Sequence, residues 1–67
     1  MNRWYIVELI DISDKDYNWF ISLLINNKYH IVEVDSGSGS RIIGILEDEF
    51  EWFKTIADEN LVDIDVW

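Results

Sequence analysis

Fourteen carboxylates among 67 residues raise the question of what chemistry they could do, and two pairs stand at useful spacings. Asp63 and Asp65, two apart in an alternating stretch, lie about 6.6 Å apart if that stretch is a strand. Glu47 and Glu51, four apart, lie about 6 Å apart if both are helical. Rows of negative charge at such spacings are what a groove built to bind phosphates reads. His30 is the sole histidine and cysteine is absent, so the usual set of nucleophile, base and orienter cannot be assembled. Without thiolates, a zinc staple is not expected either. The chain reads as a binding protein and not as an enzyme, with no catalytic residue, no metal ligand and no cofactor expected.

One further stretch has the look of a nucleotide site. "SGSGS", positions 36–40, is glycine-rich, but a phosphate loop needs its glycines between a strand and a helix N-terminus, where backbone N–H groups and the helix dipole meet the anion. Here a β-branched run, "RIIGIL", comes next, and the Gly-Lys-Ser/Thr ending of a P-loop is missing. The stretch is expected to be the turn of an antiparallel hairpin.

Charge narrows the partners. The formal net charge is −9, with six acids against four bases up to Ile42 and eight against one from Ile43 onward. Such a chain is repelled by nucleic acid and by anionic lipid and drawn to basic surfaces. Neither direct nucleic-acid binding nor membrane binding is expected. No secretory pattern opens the chain, so a cytoplasmic protein is expected. Hydrophobic residues make up 49%, with four Trp, which excludes a disordered chain. A domain of this length buries only about 60% of the surface its unfolded chain exposes. Its core rarely supplies more than about 3–5 kcal/mol without further burial. Lacking disulfides, the chain is expected to find that burial in a partner or a second copy.

These residues must be positioned by six elements within one domain, 1–67. "RWYIVELIDI" (3–12) is almost continuously apolar, as in a strand covered on both faces. "SDKDYNWFISLLINN" opens with Ser13 and Asp16 at capping-box spacing and carries Tyr17, Phe20, Ile21 and Leu24 at helical period, with Asn26 and Asn27 placed to end it in a left-handed turn. "KYHIVEVD" (28–35) alternates as an edge strand, with His30 an ordinary strand residue, and "RIIGIL" (41–46) is a second central strand. "EDEFEWFKTIADEN" has Asp48 and Glu51 at capping-box spacing and an apolar stripe of Phe50, Phe53, Ile56 and Ala57. "LVDIDVW" (61–67) is the other edge. The order β-α-β-β-α-β predicts an α+β, ferredoxin-like split βαβ fold: a four-stranded antiparallel sheet with strands one and three in the middle and both helices on one face.

One sheet face is then uncovered. Parity sends Trp4, Ile6, Glu8 and Ile10 to it from the first strand. From the last strand it receives Asp63, Asp65 and Trp67, and from the second Tyr29, Ile31, Glu33 and Asp35. The third strand is expected to add Ile43 and Ile45, with Ile42, Gly44 and Leu46 inward. An apolar centre rimmed by acids is the pattern of a protein interface. The candidate partner-binding residues are Trp4, Ile6, Glu8, Glu33, Glu47, Glu51, Trp52, Asp63, Asp65 and Trp67. Trp19 and Trp52 lie off the helical stripes, and either becomes an anchor if exposed.

Asp11 and Asp14 resemble, at one strand end, the carboxylates of small CRISPR-associated nucleases of this topology, which would imply Mg²⁺; the missing basic surface argues against it. RNA-binding ferredoxin-like domains would likewise need a basic surround to their aromatic sheet. In size and acidity the chain resembles phage-encoded antagonists of host proteins as a class. The leading expectation is an inhibitor or antagonist, of viral type and possibly a DNA mimic, of a basic, nucleic-acid-handling protein. The alternative is a small regulatory or ligand-binding ferredoxin-like domain whose acids only keep it in solution. A homodimer through the face around Trp4 and Ile6 is also expected.

Overall fold

The computed structural model describes residues 3–35 and 40–67. The elements run β1 (Trp4–Ile10), α1 (Asp14–Asn26), β2 (Ile31–Asp35), β3 (Ser40–Leu46), a 3-10 turn (Glu47–Glu49), α2 (Phe50–Glu59) and β4 (Asp63–Val66). All neighbouring strands pair antiparallel in the order β2-β3-β1-β4. This is the expected α+β, ferredoxin-like arrangement, with the two most continuously apolar strands in the centre. The glycine-rich segment 36–39 lies outside the described residues. The strands on either side of it are antiparallel neighbours, and the next element along the chain is β3, not a helix, so the setting of a phosphate loop is missing.

Helix α1 starts where Ser13 caps it, its hydroxyl accepting the Asp16 N–H at 3.2 Å. Its end differs from expectation. Asn27 is the last half-helical residue and Lys28, at φ 67°, takes the left-handed position. The Tyr29 and Lys28 N–H groups close onto the Leu24 and Ile25 carbonyls in a Schellman motif. Helix α2 ends the same way, with Leu61 at φ 57° and the Val62 and Leu61 N–H groups on Ala57 and Asp58. At its start the Asp48–Glu51 capping box is not made: the acids 47–49 form the 3-10 turn and no side chain caps α2.

Tyr17, Phe20 and Leu24 of α1 and Phe50, Phe53 and Ala57 of α2 pack against Val7, Leu9, Ile43 and Ile45 of the sheet in one buried cluster. Tyr5 meets Phe50 edge-on at 4.5 Å between ring centres, and Phe20 and Phe53 lie 6.1 Å apart where the helices meet. Truncating either of the last two to alanine costs about 3–5 kcal/mol, about all that a core of this size supplies.

The register fixes the faces. β1 is as expected: Val7 and Leu9 are buried under the helices, and Trp4, Ile6, Glu8 and Ile10 lie on the other side. β3 is reversed. Ile43 and Ile45 are fully buried against the helices, and Ile42, Gly44 and Leu46 share the open face with Glu8, Ile6 and Trp4, their cross-strand partners. β2 is reversed as well, since Ile31 and Glu33 pair with Ile45 and Ile43 on the helix side, while Tyr29 precedes the strand. Charge alone turns Glu33 and Arg41 towards solvent in a reading by parity. Both instead find partners on α1. The Tyr17 hydroxyl donates to Glu33 Oε1 at 2.9 Å, and the Arg41 guanidinium lies 4.6 Å over the Tyr17 ring and pairs with Asp14.

Candidate functional site

The uncovered face is built from described positions that divide by chemistry along the strands. Across one end run Trp4 and Leu46, then Val32, Gly44 and Ile6 in a row. Trp67 extends that row past the end of β4, its N–H bonded to the Ile6 carbonyl at 2.8 Å. Two residues further along come Asp35, Ile42, Glu8 and Asp65, and beyond them Ile10 and Asp63. Asp35 reaches this face although Glu33 does not, because a bulge between them inserts Val34.

Trp4, Ile6, Val32, Val34 and Gly44 line a shallow hollow of ≈ 210 Å³. Glycine makes its floor: a Cβ on Gly44 would stand 3.4 Å from the Trp4 ring. Trp4, Val32 and Val34 are each 42–54% exposed, a large apolar area for a sheet face with no described residue packed over it.

The charges on this face are all of one sign. Among the described residues, Glu8, Asp35, Asp63 and Asp65 occupy it, and none of the chain's five bases stands at an open-face position. Arg3 pairs with Glu47, Arg41 with Asp14 and Lys54 with Glu51, all away from it. Glu8 and Asp65 are direct cross-strand partners, an arrangement that repels.

The structure therefore brings together Trp4, Ile6, Glu8, Asp63, Asp65 and Trp67 of the candidate residues, keeps Asp35 on this face as parity expects, and adds Val32, Val34, Ile42 and Gly44, which sequence reasoning missed. For Val32 and Val34 the signal was their own alternation in β2. Glu33 is on the other side. Glu47 and Glu51 do not form one helical row, since Glu47 lies in the 3-10 turn and Glu51 in α2, each with its own cation. Trp52 is 68% exposed on α2, beside Tyr29, Ile56 and Glu59 around a hollow of ≈ 310 Å³. Burial, and after it the charges of Glu49 and Glu59, raise the Tyr29 phenol above its usual value. Trp19, 54% exposed, lines another hollow with Leu61, Asp11 and Asp63.

His30 is not a strand residue. It stands just before β2, donates its backbone N–H to Glu49 Oε1 at 2.8 Å, and holds its ring Nδ1 2.8 Å from Oε2. Burial alone would raise the Glu49 carboxyl; the two bonds from His30 and the ring's charge outweigh it and hold that carboxyl below its usual value. This clamp ties the link after α1 to the start of α2. No group of three or more His, Asp or Glu among the described residues is arranged to hold a metal ion, and no described helix is long and apolar enough to cross a membrane.

Fold and face together define a small acidic domain of ferredoxin-like topology with one open sheet face whose charged groups, among the described residues, are all acids. Comparison with protein-family models, with curated proteins and with solved structures finds no match.

Proposed function

We propose that this chain is a protein-binding module that inhibits a basic, nucleic-acid-handling protein by occupying its basic surface with the open sheet face. The observation that carries the reading is the combination on that face of an exposed apolar hollow with four acids and no base. Interfaces pair an apolar centre with complementary charge, and a face of this composition selects a basic partner and rejects nucleic acid and anionic lipid. Asp63 and Asp65, about 6.6 Å apart along β4, with Glu8 beside Asp65, supply the row of charge that stands in for phosphates. The Glu8–Asp65 opposition lowers the stability of the free chain, as a binding surface does when it is shaped for another molecule.

The hollow on the open face is small for a small-molecule site, so on this face a protein partner is the better fit. At ≈ 210 Å³ and open to solvent it falls short of the roughly 300–1,000 Å³ of small-ligand sites.

The test is affinity capture of basic proteins from a bacterial lysate, followed by a competition assay. A captured protein should lose its nucleic acid when this chain is added, and the complex should weaken steeply as salt screens the acids. A complex indifferent to salt, or one that leaves the captured protein's nucleic-acid binding intact, contradicts the reading. Thermal stabilisation by a metabolite or metal would favour the alternative.

A further inference from the structure

Resting on the reading of the open face as the partner-binding surface, the geometry specifies what kind of element lies there. We propose that the face seats one amphipathic basic helix of the partner. Its apolar side chain fills the hollow over Gly44, and its Lys or Arg residues come after it on the same side of the helix.

The spacing is set by the strands. From the row Val32–Gly44–Ile6 to the row Asp35–Ile42–Glu8–Asp65 is two residues, about 6.6 Å. A helix rises about 1.5 Å per residue, so that step matches a cation about four residues from the apolar anchor. Asp63 stands a further two residues along β4, about 13 Å from the anchor row, which matches a second cation about eight or nine residues away. An apolar residue at i with cations near i+4 and i+8 lies on one side of a helix. Ile42, between Asp35 and Glu8, gives the aliphatic stems of those cations a surface to lie on.

Other occupants fit less well. A single extended segment laid across a sheet face would leave its backbone groups without partners, whereas a helix satisfies its own, and the opposite face of this sheet already carries two helices. A second copy of the chain fails on symmetry. Two such faces stacked about a twofold axis along the strands set acidic row against acidic row; about an axis across the strands they set carboxylates on the apolar half. Either arrangement desolvates carboxylates without a cation.

The experiment titrates ¹⁵N-labelled protein with two synthetic peptides. One is a helical peptide of about fourteen residues with leucines in its first turns and lysines on the same side in its later turns; the other is an oligolysine of equal charge. The expected result is that the first peptide gains helix on binding and shifts amides confined to the open face, among them Trp4, Ile6, Glu8, Gly44 and Asp65. Its affinity should fall at least about tenfold in Ile6→Ser, and likewise in the Glu8→Gln, Asp65→Asn pair, both variants keeping their remaining spectrum. Oligolysine binding equally well to the same residues overturns the helix and leaves the basic partner standing. Shifts centred on Trp52 or Trp19 overturn the location. No open-face shift with either peptide overturns both the helix and the reading beneath it, and a dimer broken by Ile6→Ser overturns them in favour of self-association.

Discussion

Replacing Glu8 by Gln should stabilise the free protein, although it removes a charged residue from a well-paired central strand. Glu8 and Asp65 are directly opposed across β1 and β4, which sets their Cα atoms about 4.5–5.5 Å apart. Two like charges at about 5 Å repel by about 0.8 kcal/mol in water and by about 3 kcal/mol at an effective dielectric constant of 20. Asp65 is exposed and Glu8 half-buried, so the lower value governs, in line with the range for cross-strand pairs. The expected gain is about 0.5–1 kcal/mol, near 4 °C in Tm for a domain of this size. Urea unfolding monitored by Trp fluorescence, at about 10 mM and about 1 M NaCl, reads it directly. The Debye length falls from about 30 to about 3 Å between those conditions, so the gain should be present in the first and nearly absent in the second. A lower urea midpoint for Glu8→Gln, or a gain equal at both salts, would refute the electrostatic argument, because packing or hydrogen bonding would then be at work.

Leu61→Gly should raise stability by about 0.5–1 kcal/mol, since the side chain at φ 57° is 92% exposed and glycine removes left-handed strain without losing packing; a lower Tm in thermal melts would contradict this. Burial first, and then the bond and charge of Glu33, raise the Tyr17 phenol well above its usual value. Its contribution to stability is therefore complete below the unfolded value of about 10 and is lost as pH rises from there. Urea midpoints should fall above about pH 10 in the wild type. Tyr17→Phe should flatten that fall while costing about 1 kcal/mol at neutral pH, where Glu33 loses its donor; a flat wild-type profile refutes the point. The Glu49 carboxyl, held below its usual value by His30, contributes stability above that value, lost as pH falls through the folded one. Glu49→Gln should consequently cost more at about pH 5.5 than at about pH 2.5, and an equal cost at both, measured by urea unfolding, would show that the clamp is not electrostatic.

The element order was legible because each signal is local: the continuous apolar runs give way to a period of three or four at Ser13 and again after Leu46, and Ser13 caps α1 through Asp16. The β1 and β4 half of the face was legible for the same reason, since Glu8 and the Asp63–Ile64–Asp65–Val66 alternation leave one choice of side. β2 and β3 were not. Their polar residues, Glu33 and Arg41, face the helix layer because Tyr17 and Asp14 meet them there, and a partner sixteen or more residues distant leaves no trace in periodicity. The bulge at Val34 then puts Glu33 and Asp35 on opposite faces, which no strict alternation encodes. The helix ends misled for a different reason. Asn26 and Asn27 suggested the left-handed residue, but the left-handed positions fall on Lys28 and Leu61, types that rarely signal such a turn. The pairing of His30 with Glu49, nineteen residues apart, is likewise a product of the fold alone.

The central claim is that the open sheet face, through its acids, holds a basic partner. The most direct measurement is the affinity of that captured partner for the wild type and for the variant carrying Glu8→Gln, Asp35→Asn, Asp63→Asn and Asp65→Asn, by titration calorimetry at two salt concentrations. With its fold unchanged by circular dichroism, the variant should bind at least about a hundredfold more weakly and lose most of the salt dependence. A variant that binds with wild-type affinity and wild-type salt dependence would contradict the account, and would assign the interface to the helix layer around Trp52.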